Sequence, residues 1–319
     1  MTKHTALARG LGLLALLSAA CGGGDKASSS SASTKFNADS ALSYARQNVA
    51  FGPRIPGTDA ARKAGDWMVA RLRATADTVL EQTWTHTTAD GRKLPMRNIF
   101  ARFRPNEKNR VLYVTHWDTR PVADSDPIES NRTKPFDGAN DGASGVGLFL
   151  ALADELKRLP PNVGVDLLFV DGEDWGEFGP PDVDVLIGSE YFATHLPSPD
   201  YKPMFGVLFD MIGDKELRML QEVNSIKAAP EVVQRVWAQA KEMGYEEYFS
   251  PRVGDTITDD HIPLIRAGLR VIDVIDLEYP NEQSRSGGPN YHHTTNDTMD
   301  KLSAKSLKVV GDVAVALVR

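Results

Sequence analysis

The stretch Leu167-Leu168-Phe169-Val170-Asp171-Gly172-Glu173-Asp174-Trp175 constrains this chain more than any other. An apolar run of strand length and composition stops on three carboxylates within four positions. Acids at the carboxyl end of a buried strand sit where open α/β sheets bind their ligands. Two adjacent acids can also divide the work, one binding a metal while its neighbour handles a proton. Alone, an Asp-Gly-Glu-Asp is ordinarily a solvated turn. Here other apolar runs end in the same manner.

Val111-Leu112-Tyr113-Val114 runs into His116-Trp117-Asp118, Val207-Leu208-Phe209 ends on Asp210, and Val271 to Leu277 reads as a further buried strand. Alternating segments cover Val79 to Trp84 and Met96 to Phe103. Between them lie helical patterns. The first starts at Asp39-Ser40, and Thr58 caps a second running through Trp67, Met68 and Leu72. Gly138-Ala139-Asn140-Asp141-Gly142-Ala143-Ser144-Gly145 opens a third, whose apolar face is Val146, Phe149, Leu152, Ala153 and Leu156. Others begin near Ile187, span Glu231 to Met243, follow Asp259-Asp260-His261 as far as Gly268, and close the chain from Leu302 to Val318. There is no internal repeat. Strands alternating with helices predict one α/β domain over 36–319, with a mostly parallel mixed sheet covered by helices on both faces.

Ahead of that domain, Lys3 and Arg9 flank an apolar run from Leu11 to Leu17, then Ser18-Ala19-Ala20-Cys21. This is the pattern of a secretory leader over 1–20, too short to span a membrane. Cys21 is the sole cysteine, so no intramolecular disulfide is expected in an exported chain. Its setting resembles the lipobox of bacterial lipoproteins, with Ser18 where leucine is commoner. That resemblance implies a lipid anchor at Cys21, followed by a Gly/Ser-rich tether over 21–35. It also implies a periplasmic or surface location, at the outer membrane in a Gram-negative cell. A net charge of −7 disfavours nucleic acid as a partner.

His116, Asp141, Glu173, Asp174, Asp210 and His293 all lie just past apolar runs or in loops. Singly, each has an ordinary reading as polar surface or turn. Together, imidazoles and carboxylates with no usable thiol suit zinc with an open coordination position.

The segments Thr-His116-Trp-Asp118, Gly138 to Gly145, Asp171 to Asp174, Leu186-x-Gly188-Ser189, Phe209-Asp210-Met-Ile-Gly and Tyr291-His292-His293-Thr-Thr-Asn-Asp297 resemble the zinc aminopeptidase superfamily, which includes the animal-type glutaminyl cyclases. The resemblance runs from about Phe36 to Arg319 in the family's order. In two-zinc members it implies that Asp141 bridges the metals, that His116 and Asp210 hold one zinc, that Asp174 and His293 hold the other, and that Glu173 is the general base. Thr258-Asp259-Asp260-His261-Ile-Pro-Leu264 resembles the corresponding cyclase segment, whereas aminopeptidases commonly carry a small residue at the place of Asp259. The cyclase resemblance implies one zinc on Asp141, Asp174 and His293, with Asp210 and Asp259 sharing a proton. Physical chemistry agrees, since two close carboxylates cannot both stay ionised without a cation. Two positions depart from the cyclase pattern. Asp174 stands where glutamate is usual, and His292 where animal cyclases carry tryptophan. The aromatic wall of the substrate pocket is therefore open among Trp175, Tyr291 and Phe178, beside His292. Asp118 and Asp297 are expected behind the ligands, holding them in place.

The expectation is a zinc-dependent glutaminyl-peptide cyclotransferase that acts on peptide or protein N-termini. Its rivals are a two-zinc aminopeptidase and a catalytically silent surface binding protein that kept the fold.

Overall fold

Every residue of Arg110–His116 (β3), Gly164–Val170 (β4), Phe205–Asp210 (β5) and Val271–Ile275 (β8) is buried. Strands covered on both faces have no solvent side, which is why they read as unbroken apolar runs. They pair in parallel in the order β4-β3-β5-β8, with Val114 opposite both Leu168 and Leu208. Thr78–Thr87 (β1) and Lys93–Phe103 (β2) extend the sheet antiparallel beyond β4, giving the order β1-β2-β4-β3-β5-β8. The computed structural model describes residues 36–277 and 290–319. The leader, Cys21 and the tether expected over 1–35 lie outside the described residues.

The helices are Ala38–Val49 (α1), Asp59–Thr75 (α2), Ala143–Arg158 (α3), Ile187–Thr194 (α4), Val223–Ala228 (α5), Pro230–Glu242 (α6), His261–Arg266 (α7) and Ala304–Ala316 (α8). A mostly parallel mixed sheet with helices on both faces is thus the observed architecture. On one face α1, α2, α3, α6 and α8 share the larger core with Tyr113, Phe149, Phe169 and Phe209. On the other, Phe192 of α4 and Leu264 of α7 pack on Leu112, Val114 and Leu208. Among the described residues no helix is long and apolar enough to cross a membrane.

Local chemistry sets the helix boundaries. Asn37 caps α1, its Oδ1 accepting from the amide of Ser40 at 3.1 Å, so the helix starts just ahead of the expected Asp39. Thr58 caps α2 as expected, accepting from the amide of Ala61 at 3.2 Å. In α3 thirteen of sixteen residues are buried, far more than the one face its apolar pattern predicts. The extra burial comes from α1: a Cβ on Gly147 would lie 2.4 Å from the carbonyl oxygen of Ala41, so only glycine permits the helices to approach this closely. A short parallel pair, Met219–Gln221 (β6) with Phe249–Val253 (β7), and helix α5 have no counterpart in the sequence-based expectations.

One buried charge cluster ties three strands together. Asp166 of β4 is fully buried and accepts from Arg110 Nε of β3 at 2.7 Å, Arg102 Nε of β2 at 3.1 Å and the Tyr201 hydroxyl at 3.0 Å. Removing the carboxylate strands a buried guanidinium. Asp166→Ala is expected to lower the unfolding free energy by about 3–5 kcal/mol. Denaturant titration reads this as an earlier midpoint, and a loss below about 1 kcal/mol would place the pair among weak surface bridges.

Candidate metal centre and active site

The carboxyl ends of β3, β4 and β5 deliver His116, the Asp171–Asp174 turn and Asp210 to one edge of the sheet. Gly172, at φ +71°, turns the chain there; a Cβ on it would fall 2.2 Å from Met96 Cε. The turn separates its three acids. Asp171 faces back toward β2, accepting from the amide of Arg97 at 2.8 Å, while Glu173 and Asp174 line a cleft of about 480 Å³. Asp141, Asp210, Asp259, His292 and His293 line the same cleft.

Asp141 lies two residues before α3 and presents one oxygen to each of two donor groups. Its Oδ1 is 3.1 Å from His116 Nε2, which is also 3.1 Å from Asp210 Oδ1. Its Oδ2 is 3.4 Å from His293 Nε2 and 3.6 Å from His292 Nε2. Asp174 Oδ2 is 3.1 Å from His293 Nε2. In two trios, His116–Asp141–Asp210 and Asp141–His292–His293, the donor atoms lie within 4.8 Å of one another. Asp141 Oδ2 and Asp174 Oδ2 are buried and carry no hydrogen bond. Imidazole nitrogens and carboxylate oxygens that converge in this way, two of the oxygens without a hydrogen bond, fit a divalent cation, and the N/O donor set suits zinc. Asp141, Asp174 and His293 would hold such an ion, with His116 and Asp210 able to share a second.

Buried neighbours fix these groups. Asp118 Oδ1 and Oδ2 accept from the amides of Glu173 and Asp174 at 3.1 and 3.2 Å, and Oδ1 lies 3.5 Å from His116 Nδ1. Asp297 accepts from the amides of Asn140 and Asp141 at 2.8 and 3.1 Å. Asp118 thus holds the backbone of Glu173 and Asp174, and Asp297 that of Asn140 and Asp141. Two arginines were not anticipated from sequence. Arg54, fully buried, donates to the carbonyls of Asp137 and Gly138 and so holds the loop that precedes Asp141. Arg120 Nη1 donates to Asp174 Oδ1 at 3.1 Å and to the Gly176 carbonyl at 2.8 Å, while its Nε donates to Asp124 at 2.9 Å. Their sequence settings, a Gly-Pro-rich break and a polar loop, give no sign of such partners.

Burial dominates the electrostatics. It pushes the Glu173 carboxyl well above its usual range, reinforced by Asp174 and opposed by His116. Burial likewise raises Asp259 well above the carboxylate range, reinforced by the charges of Asp210 and Asp260. Asp210 is raised by burial and drawn back by His116. For His116 burial disfavours the charged ring, but Asp210, Asp118 and Asp141 outweigh it and leave the imidazole well above its ordinary value. Around Asp259 the acids continue inward. Asp260 accepts from the Ser189 hydroxyl at 2.5 Å, and His261 sits 3.3 Å from Glu222 and 4.0 Å from Asp273.

The pocket walls differ from two of the expectations. Trp175 packs with Leu94, Met96 and Ile187 away from the cleft, under the guanidinium of Arg92. Tyr291 is buried against Met211 and Ile275, and its hydroxyl donates to Asp214. Neither lines the cleft, because the turns carrying them point consecutive side chains to different surroundings. Phe178 does line it, with Ile257, Leu277 and His292.

Comparison with known proteins places this geometry in a family. Residues 98–318 match the model of peptidase family M28. A bovine glutaminyl-peptide cyclotransferase is 26% identical over 284 residues, covering 78% of this chain and 75% of that protein. The glutaminyl cyclase of Porphyromonas gingivalis superposes with a TM-score of 0.83 at 39% identity, covering 88% of this chain and 97% of that one. A leucine aminopeptidase precursor from Bacteroides thetaiotaomicron also superposes at 0.83, with 36% identity over 89% of this chain and 97% of that one. The chain belongs to peptidase family M28.

Proposed function

We propose that this chain is a zinc-dependent glutaminyl-peptide cyclotransferase, converting N-terminal glutamine of peptides or proteins to pyroglutamate with release of ammonia. Asp259 carries the reading. It is buried in the cleft beside Asp210, its Oδ2 has no hydrogen bond, and burial together with the charge of Asp210 raises its carboxyl well above the usual range. Similarity to glutaminyl cyclases along nearly the whole folded region supports a cyclotransferase, alongside an equal structural likeness to an aminopeptidase precursor.

In the reaction the α-amine attacks the γ-amide carbon, a five-membered lactam closes, and the amide nitrogen departs as ammonia. Glu173 takes one proton from the attacking amine and returns it to the leaving nitrogen. Its burial suits it to this exchange, because a carboxylate raised from its usual range holds and releases a proton nearer neutrality. Asp210 and Asp259, with one proton between them, offer the substrate amine both an acceptor and a donor. Zinc, when bound, supplies Lewis-acid polarisation of the γ-carbonyl. Phe178, Ile257 and Leu277 form the apolar side of the cleft and exclude water from the cyclising chain.

One observation favours a second reading. The His116–Asp141–Asp210 trio could hold a cation of its own, so a two-zinc aminopeptidase is the competing function. Zinc content of about one per chain goes with the cyclase and about two with the peptidase. For export we infer a lipid anchor at Cys21, supported by the Lys3–Cys21 leader pattern. Cys21→Ala should then move the protein from the membrane fraction to the soluble one.

The decisive assay incubates the zinc-loaded protein with Gln-initiated peptides and with a leucine anilide. Mass spectrometry is expected to show loss of ammonia from the peptides, with no anilide release. If the peptides survive intact while zinc is bound, the cyclase reading is lost. Glu173→Gln is expected to cut turnover by at least about a hundredfold while zinc content and the circular dichroism spectrum stay unchanged. Undiminished turnover would remove Glu173 from its role as base.

A further inference from the structure

His292 and His293 are consecutive, yet their imidazoles face the same oxygen. In extended backbone, neighbouring side chains point to opposite sides. Here His293 adopts φ +53°, a left-handed conformation uncommon outside glycine, and the two ring centroids come to 3.6 Å. Asp141 Oδ2, buried and without a hydrogen bond, is 3.4 Å from His293 Nε2 and 3.6 Å from His292 Nε2. Donors on one tetrahedral zinc, with bonds of about 2.0–2.1 Å, stand about 3.3 Å apart. Both separations lie close to that spacing. Strained backbone at a site generally persists because the arrangement it creates is used.

We propose that His292 is a direct ligand of the ion held by Asp141 and His293, rather than a wall of the substrate pocket. The inference rests on the zinc reading of the site and adds a protein donor to it. Asp141, His292 and His293 form the trio of converging donors, and Asp174 Oδ2 stands beside it, 3.1 Å from His293 Nε2. His292 is the most exposed of these side chains and lines the cleft, so it would be the donor that a substrate carbonyl could displace. Such a ligand would occupy a position that a wall residue would leave to solvent or substrate.

The test uses His292→Phe, which keeps a ring of similar size but no lone pair, in the full chain. Metal-free protein is titrated with zinc against a chromophoric chelator, and separately loaded with cobalt(II) for its visible ligand-field spectrum. The expected result is at least about a tenfold loss of zinc affinity, the lower end of what even outer partners of a metal site cost, together with altered cobalt bands. A cobalt spectrum superimposable on the parent's overturns the proposal, because a wall residue leaves the metal's donor set untouched. If the variant does not fold, X-ray absorption at the zinc edge of the unsubstituted protein, loaded below one equivalent, decides instead: two imidazoles per zinc support the assignment and one overturns it. Parent protein that binds no zinc would instead sink the metal reading beneath it, and the titration separates that failure from this one.

Discussion

The Asp141 carboxylate is the point on which the structure depends. Two imidazole–carboxylate groups converge on it, one at each oxygen, in a place that water scarcely reaches. Negative charge so enclosed is tolerable only against positive charge, from protonated histidines or from a cation. A cation answers the geometry better, since it satisfies several lone pairs at once, where each proton satisfies one pair. The sheet topology makes this convergence possible by ending three parallel strands side by side, with the amino end of α3 opposite them.

Holding acids at such spacing takes a surrounding shell of opposed dipoles and charges. Asp118 gathers the amides of the turn after β4, Asp297 those of the loop before α3, and Arg54 grips the carbonyls of that same loop. Arg54 is held down to about 10 by its burial, against the pull of Asp297, Asp137 and Asp141, yet it remains a cation at neutral pH. Arg120 plays the matching part for Asp174. A backbone fixed in this manner positions ligands to within the tolerance that catalysis requires, which loops alone seldom manage.

Much of this was legible in the residues themselves. Strands buried on both faces announce themselves as apolar runs, and the groups that follow β3, β4 and β5 were readable as a site because so many ended alike. The short pair β6–β7 and helix α5 escaped notice because three to six residues of mixed polarity carry no measurable period. Arg54 and Arg120 escaped because their partners are distant in the chain or are backbone carbonyls, which sequence does not mark. Trp175 and Tyr291 were misplaced for another reason: adjacency to a ligand fixes where a residue begins, and local φ and ψ decide where its side chain goes.

Behind Asp259 the acids do not stop. Asp260 and Asp273 are fully buried, and burial raises both, Asp260 to about 7. Such groups bind protons more tightly in the native chain than in the unfolded one. Collapse of this region therefore takes up hydrogen ions from solution. By linkage, that contribution to stability is complete in acid and fades as pH climbs through about 7 at Asp260. These two buried acids thus contribute a stability that falls between the ordinary carboxylate range and about pH 7 at Asp260, opposite in sign to acids paired with bases.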